Sequence, residues 1–146
     1  MVTMKDEVSK QYSVKFKVPF HDVDPMQVVW HGNYLKYFEI ARSGLFESLG
    51  IDLYNIYLKS GYLFPIIRSA IKYIYPLRYN DEFICSAAVV EVRRKIIVDF
   101  EIRLASNNIL CARGRTEQAA VKIPGLKMEL TIPDEIQKAL IFKHEC

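Results

Sequence analysis

The sequence predicts an α+β domain: a five-stranded antiparallel sheet wrapped around one long central helix, with a short helix at the C-terminus. Three observations carry this. Residues 33–49 show helical periodicity and are apolar over most of the circumference; the chain from residue 66 to about 123 is strand-like; and one more strand-like stretch precedes the helix. A helix apolar on so many sides must be enclosed, and only a curved sheet encloses that much of a cylinder.

Taken in order, residues 1–11 read as a frayed leader to a single domain spanning 1–146. Val14, Phe16, Val18 and Phe20 then alternate with Lys15 and Lys17, as in a strand with one wet face, and Pro19 suits an edge or a bulge. Along the helix, Lys36, Glu39, Ser43 and Glu47 form a narrow polar stripe, while Tyr34, Leu35, Phe38, Ile40, Ala41, Leu45, Phe46 and Leu49 fill the rest. Gly50 suits the left-handed residue that ends a helix, and Gly44 inside it implies a close packing approach. A mixed, tyrosine-rich segment follows. Strands are expected near Ile66–Tyr75, Glu82–Val92, Ile96–Leu104 and Ile109–Ile123, with turn signals at Tyr79-Asn80-Asp81 and Ser106-Asn107-Asn108. In the third of these, Ile96, Val98, Phe100, Ile102 and Leu104 face one way and Ile97, Asp99, Glu101 and Arg103 the other. A short helix is expected to start at Pro133.

Composition excludes several function classes. A net charge of +3 over 146 residues is too small for a nucleic-acid binder, and the one dense basic run, Arg93-Arg94-Lys95, suits a phosphate group better than a duplex. No apolar stretch approaches the roughly 20 residues of a membrane helix, and the N-terminus lacks the apolar core of a signal peptide. Three widely spaced cysteines, Cys85, Cys111 and Cys146, form neither a disulfide framework nor a zinc site and point to the cytoplasm. A single helix cannot cover both faces of five strands, and the apolar Ile84, Ala88 and Val90 need cover. A homo-oligomer is therefore expected, with the choice between dimer and tetramer open.

The chemistry is concentrated in His21-Asp22-Val23-Asp24-Pro25-Met26-Gln27-Val28-Val29-Trp30-His31-Gly32-Asn33-Tyr34. This turn delivers two carboxylates and two imidazoles to the start of the helix, where unpaired N–H groups and a partial positive charge await a developing oxyanion. Asp-Pro pairs are also ordinary turn formers, and Trp30, Tyr34, Tyr37 and Phe38 are also ordinary core material.

The Asp22–Tyr34 segment, set between the first strand and the long helix, resembles the hotdog-fold acyl-CoA thioesterases of the 4-hydroxybenzoyl-CoA thioesterase family, whose pattern runs D-x-D-x-x-G-x-V-[YFW]-x-x-x-Y. His31 resembles the Tol–Pal-associated branch; Asp24-Pro25 followed by a tryptophan is similar to the hydroxybenzoyl enzyme. Pro76-Leu77-Arg78-Tyr79-Asn80-Asp81-Glu82 resembles the family's turn between the second and third strands. Where the pattern has glycine or alanine, this chain has Met26-Gln27, and a larger side chain is expected to narrow the acyl site.

The resemblance implies hydrolysis of an acyl-CoA to free acid and coenzyme A. Asp24 is then nucleophile or general base, and the His31 N–H an oxyanion donor, with the imidazole free to assist. It implies that Arg93, Arg94 and Lys95 grip the coenzyme A phosphates, that Trp30 and Tyr34 border the acyl group, and that the pocket lies between subunits of a homodimer. No metal or redox cofactor is implied. Two further readings stay open: a non-catalytic acyl-CoA or acyl-carrier binding module, and a metal-dependent hydrolase using His21, Asp22, Asp24 and His31.

Overall fold

The computed structural model describes residues 11–123 and 125–145. Strand β1 (Gln11–Lys17) is followed by a 3-10 turn (Phe20–Asp22), the central helix α1 (Asn33–Ser48) and a second helix α2 (Leu53–Ser60). Then come β2 (Tyr62–Leu63), β3 (Ile66–Tyr73), β4 (Glu82–Glu91), β5 (Ile96–Leu104), β6 (Leu110–Gln118), β7 (Val121–Lys122), β8 (Lys127–Met128) and helix α3 (Asp134–Glu145). Five strands form one antiparallel sheet in the order β1-β4-β5-β6-β3, which leaves β1 and β3 as its edges. Of the expected leader, residues 1–10 lie outside the described residues, whereas Gln11 is not frayed and pairs with Ala88 at the start of β1.

The alternation read in β5 is the alternation observed: Ile96, Val98, Phe100, Ile102 and Leu104 are all buried and face α1. The Phe38 ring stacks on Phe100 at 4.5 Å and lies so close to β6 that a Cβ on Gly114 would meet it at 2.1 Å. Gly44 has the expected reason for being there, because a Cβ would meet the Tyr12 ring at 2.2 Å. Gly50 ends the helix with φ 75°, and Asn80 (φ 69°) and Asn108 (φ 63°) make the two expected turns.

Four features depart from the sequence reading. Helix α1 is not enclosed on most sides: Leu35 and Ile40 are exposed beside the polar stripe of Lys36, Glu39, Ser43 and Glu47. Arg42 instead turns inward, donating to Thr116 Oγ1 at 3.0 Å and pairing with Glu39. Burial pulls its guanidinium down to about 10, so it remains charged at neutral pH. The tyrosine-rich segment contains α2, started by the Asp52 carboxylate, which accepts from the Tyr54 and Asn55 N–H groups, and closed by Gly61 at φ 77°. The last long strand stops at Gln118, and β7 pairs with β2 and β8 in a separate small sheet. The C-terminal helix begins one residue later than expected, with the Pro133 carbonyl accepting its first bonds.

The outer face of the main sheet is charged rather than apolar. Asp99 takes Arg115 in a bidentate pair at 2.6 and 3.0 Å, and Lys95 reaches Glu117 at 2.8 Å. Ile84 and Val90 are exposed only as isolated side chains on β4. Exposed apolar surface gathers instead along the β3 edge and its continuation, at Ile66, Ile67, Tyr73, Ile74 and Tyr75. Cys85 and Cys111 are buried free thiols. Among the described residues, no helix is long and apolar enough to cross a membrane.

Candidate active site

The Asp-rich segment folds back on itself. Val23 and Val29 form an antiparallel bridge. Within it, the Asp24 N–H donates to the Val28 carbonyl at 2.9 Å and the Gln27 N–H to the Asp24 carbonyl at 2.8 Å. This tight tip forces Gln27 to φ 66°, a left-handed conformation that suits glycine and disfavours other residues by roughly 1–2 kcal/mol. The family pattern's glycine at this position thus has a geometric reason, and here a glutamine meets the same demand. Asp24 Oδ1 accepts the Met26 N–H at 2.9 Å, an Asx turn. Its other carboxylate oxygen has no hydrogen-bond donor among the described residues. The turn therefore orients the carboxylate without consuming it.

Asp22 anchors this tip to the helix. It is only 3% exposed, and its carboxylate accepts from Lys36 Nζ at 2.8 Å and the Tyr37 hydroxyl at 2.5 Å. Burial pushes this carboxyl up, but the bonds from Lys36 and Tyr37 together prevail and hold it below the usual aspartate value. Its backbone carbonyl accepts the Trp30 N–H at 3.0 Å and Asn33 Nδ2 at 2.9 Å. The return leg is fixed from the other side, where the Val29 N–H donates to Leu77 at 2.8 Å.

Helix α1 begins at this junction without a side-chain cap, Gly32 occupying the N-cap position. The Trp30 carbonyl accepts the Asn33 N–H at 2.9 Å; the His31 carbonyl accepts the Tyr73 hydroxyl at 3.0 Å and, more weakly, the Tyr34 N–H at 3.4 Å. The His31 and Gly32 N–H groups have no acceptor among the described residues. Two free donors at the positive end of a helix make a place for a negative oxygen.

Beside them lies a cavity of about 260 Å³ lined by Asp24, Met26, His31, Tyr34, Tyr73 and Tyr75, with Val28, Val29, Ile74 and Pro76 supplying apolar wall. That volume suits an acyl group, leaving a nucleotide to lie outside. Burial pushes the Tyr34 phenol up to about 12, so it presents a neutral wall.

Asp24, His31 and Tyr34 are therefore brought together. Trp30 does not line the cavity; half exposed, its indole covers Gly32, where a Cβ would meet it at 2.3 Å. The basic run is also elsewhere. Arg93, Arg94 and Lys95 form the β4–β5 turn, at the sheet end that holds Ile66 and Gln118, whereas the cavity lies at the Tyr73 end. A strand of 8 residues at about 3.3 Å each separates the two ends by roughly 25 Å. Lys95 is already paired with Glu117. The four metal-ligand candidates do not converge: His21 is exposed, Asp22 is committed to Lys36 and Tyr37, and no three His, Cys, Asp or Glu side chains among the described residues gather as a metal site. Sequence reading missed Tyr37 and Lys36 as partners of Asp22, and Tyr73 altogether. Only the spacing of 33 to 37 on one helix face gave any hint of the first two.

The chain as a whole is similar to known proteins. The model of a family described as the thioesterase superfamily matches residues 26–111, beginning two residues after Asp24. An acyl-CoA thioesterase of Haemophilus influenzae is 27% identical over 128 residues, covering 88% of this chain and 93% of that one. Among solved structures, a 1,4-dihydroxy-2-naphthoyl-CoA thioesterase from Synechocystis superposes with TM-score 0.81 at 21% identity, covering 90% of this chain and 96% of that one. A 4-hydroxybenzoyl-CoA thioesterase complexed with 4-hydroxybenzoyl-CoA gives TM-score 0.81 at 15% identity, covering 90% and 99%.

Proposed function

The chain belongs to the thioesterase superfamily, with the hotdog fold and thioester hydrolysis that go with it, and we propose that its substrate is an acyl-CoA cleaved by Asp24. The observation that carries this reading is the meeting of Asp24 and His31 on one cavity, beside a helix start whose His31 and Gly32 N–H groups have no acceptor among the described residues. An acyl group seated there points its thioester carbonyl oxygen at the two N–H groups, which stabilise the negative charge that develops on attack. Asp24 either attacks the carbonyl carbon itself or takes the proton from an attacking water. The first route expels coenzyme A as thiolate and leaves an anhydride that water opens. The second gives acid and thiol directly. Every group these steps need is a residue of the chain or the water consumed.

Coenzyme A extends beyond the cavity, and Arg93 and Arg94 hold its phosphates from a second copy of the chain. The support is the sheet geometry: within one protomer the basic turn is roughly 25 Å from the cavity, so a shared grip needs a neighbour. The exposed apolar edge of β3, adjacent to the cavity at Tyr73, is the surface such a homodimer covers. The buried free thiols suit a reducing cytoplasm. Hydrolysis assays on acetyl-, octanoyl- and benzoyl-CoA, following thiol release, test the reading. Turnover of at least one is expected, and none on any acyl-CoA would reject it.

A further inference from the structure

We infer that Tyr73, on the open edge strand, is a positioning residue for the oxyanion site, acting through the peptide group that joins His31 to Gly32. The inference rests on the function proposed above. The Tyr73 hydroxyl donates to the His31 carbonyl at 3.0 Å, and that carbonyl shares a rigid plane with the Gly32 N–H. In a trans peptide the two groups point in opposite directions, so a donor that fixes the carbonyl fixes the direction of the N–H as well.

The same bond polarises the peptide. Drawing electron density toward the His31 oxygen makes the Gly32 N–H a better donor, as linked hydrogen bonds strengthen one another. The neighbouring donor is backed in the same way, since the Trp30 carbonyl, in the peptide that carries the His31 N–H, accepts the Asn33 N–H at 2.9 Å. The difference is the origin of the support. Asn33 belongs to the helix, whereas Tyr73 reaches across from β3, 42 residues away in the chain.

The phenol is held for this task. Its ring sits edge-on to Tyr34 at 4.9 Å and to His31 at 6.3 Å. Partial burial pushes its pKa up from the ordinary tyrosine value, so it is a proton donor at neutral pH. Tyr73 itself lines the cavity with its ring, while its hydroxyl is spent on the His31 carbonyl rather than on anything within the cavity.

Tyr73→Phe removes the hydroxyl and keeps the ring. A kcat lower by about 3- to 10-fold is expected, with KM and melting temperature unchanged, because a single hydrogen bond acting through another is worth roughly one unit on a tenfold scale. The decisive readout is vibrational. The acyl-CoA of the panel above that is hydrolysed fastest is bound to Asp24→Asn protein, and the thioester carbonyl stretch is compared with that of the free compound. A shift to lower frequency in Asp24→Asn, diminished in the Asp24→Asn/Tyr73→Phe double variant, is the expected result. An equal shift in both proteins would overturn the role of Tyr73 while leaving the oxyanion site standing. No shift in either would remove the oxyanion site and the role of Tyr73 together.

Discussion

Tyr37 donates its hydroxyl to the buried carboxylate of Asp22 at 2.5 Å, which fastens the loop ahead of the central helix to the helix's own second turn. Together with the bond from Lys36 at 2.8 Å, this contact fixes the distance between Asp24 and the helix start. The Asp24 carboxylate, proposed above to act on the thioester, thus sits on a strained tip whose base is held from both sides.

Asp22→Asn is accordingly expected to destabilise the protein by about 1.5–3 kcal/mol at neutral pH, the usual range for hydrogen bonds to a charged group. The folded carboxyl is held below its ordinary aspartate value. Its stabilisation is therefore fully present above the unfolded value and is lost as pH falls through the folded one. Urea unfolding of both proteins at pH 7 and pH 3 checks this. The gap should narrow at pH 3, and an equal gap at both values would contradict the ionised pairing.

The His31 imidazole makes no hydrogen bond among the described residues, and the part proposed for His31 is that of its backbone N–H. His31→Ala keeps that N–H, so most of the activity should survive, with a loss of less than about 10-fold against the 10²–10³-fold of a removed oxyanion donor. A loss as deep as that of an Asp24 change would give the imidazole itself an essential role.

Reversing charge at Arg93 and Arg94 should raise KM for acyl-CoA with a smaller effect on kcat, as expected for groups that bind ground and transition states alike. Because the basic turn and the cavity occupy opposite ends of one sheet, mixing offers a sharper check. Hybrids of Asp24→Asn and Arg93→Glu/Arg94→Glu protomers should regain a native site at low substrate. Absence of that recovery in a verified hybrid would return the basic turn to an ordinary solvated hairpin.

Much of the fold was legible because its signals were local. The β5 alternation, Gly44, Gly50 and the two asparagine turns each report a contact or a backbone angle that neighbouring residues determine. That Asp24, His31 and Tyr34 meet at one candidate site was legible for the same reason, since they lie within one short segment. What escaped notice depends on long-range pairing. Tyr73 meets His31 only because β3 lies beside the helix start, and nothing in its own neighbourhood announces that. Arg42 turns inward toward Thr116 on β6, which helical periodicity alone cannot foresee. The position of Arg93 and Arg94 relative to the cavity is a matter of which sheet end each occupies, fixed by strand order rather than by sequence.

Substitution of Asp24 by asparagine is the most direct measurement of all. Asparagine keeps a side-chain oxygen to accept the Met26 N–H, so the Asx turn and the loop should hold. Only the negative charge and basicity of the carboxylate are removed. On the best acyl-CoA, kcat/KM should fall by at least about 10²-fold, while the melting temperature stays within a degree or two of wild type. Near-wild-type turnover in a folded Asp24→Asn protein would contradict the assignment of Asp24 as the group that attacks or deprotonates.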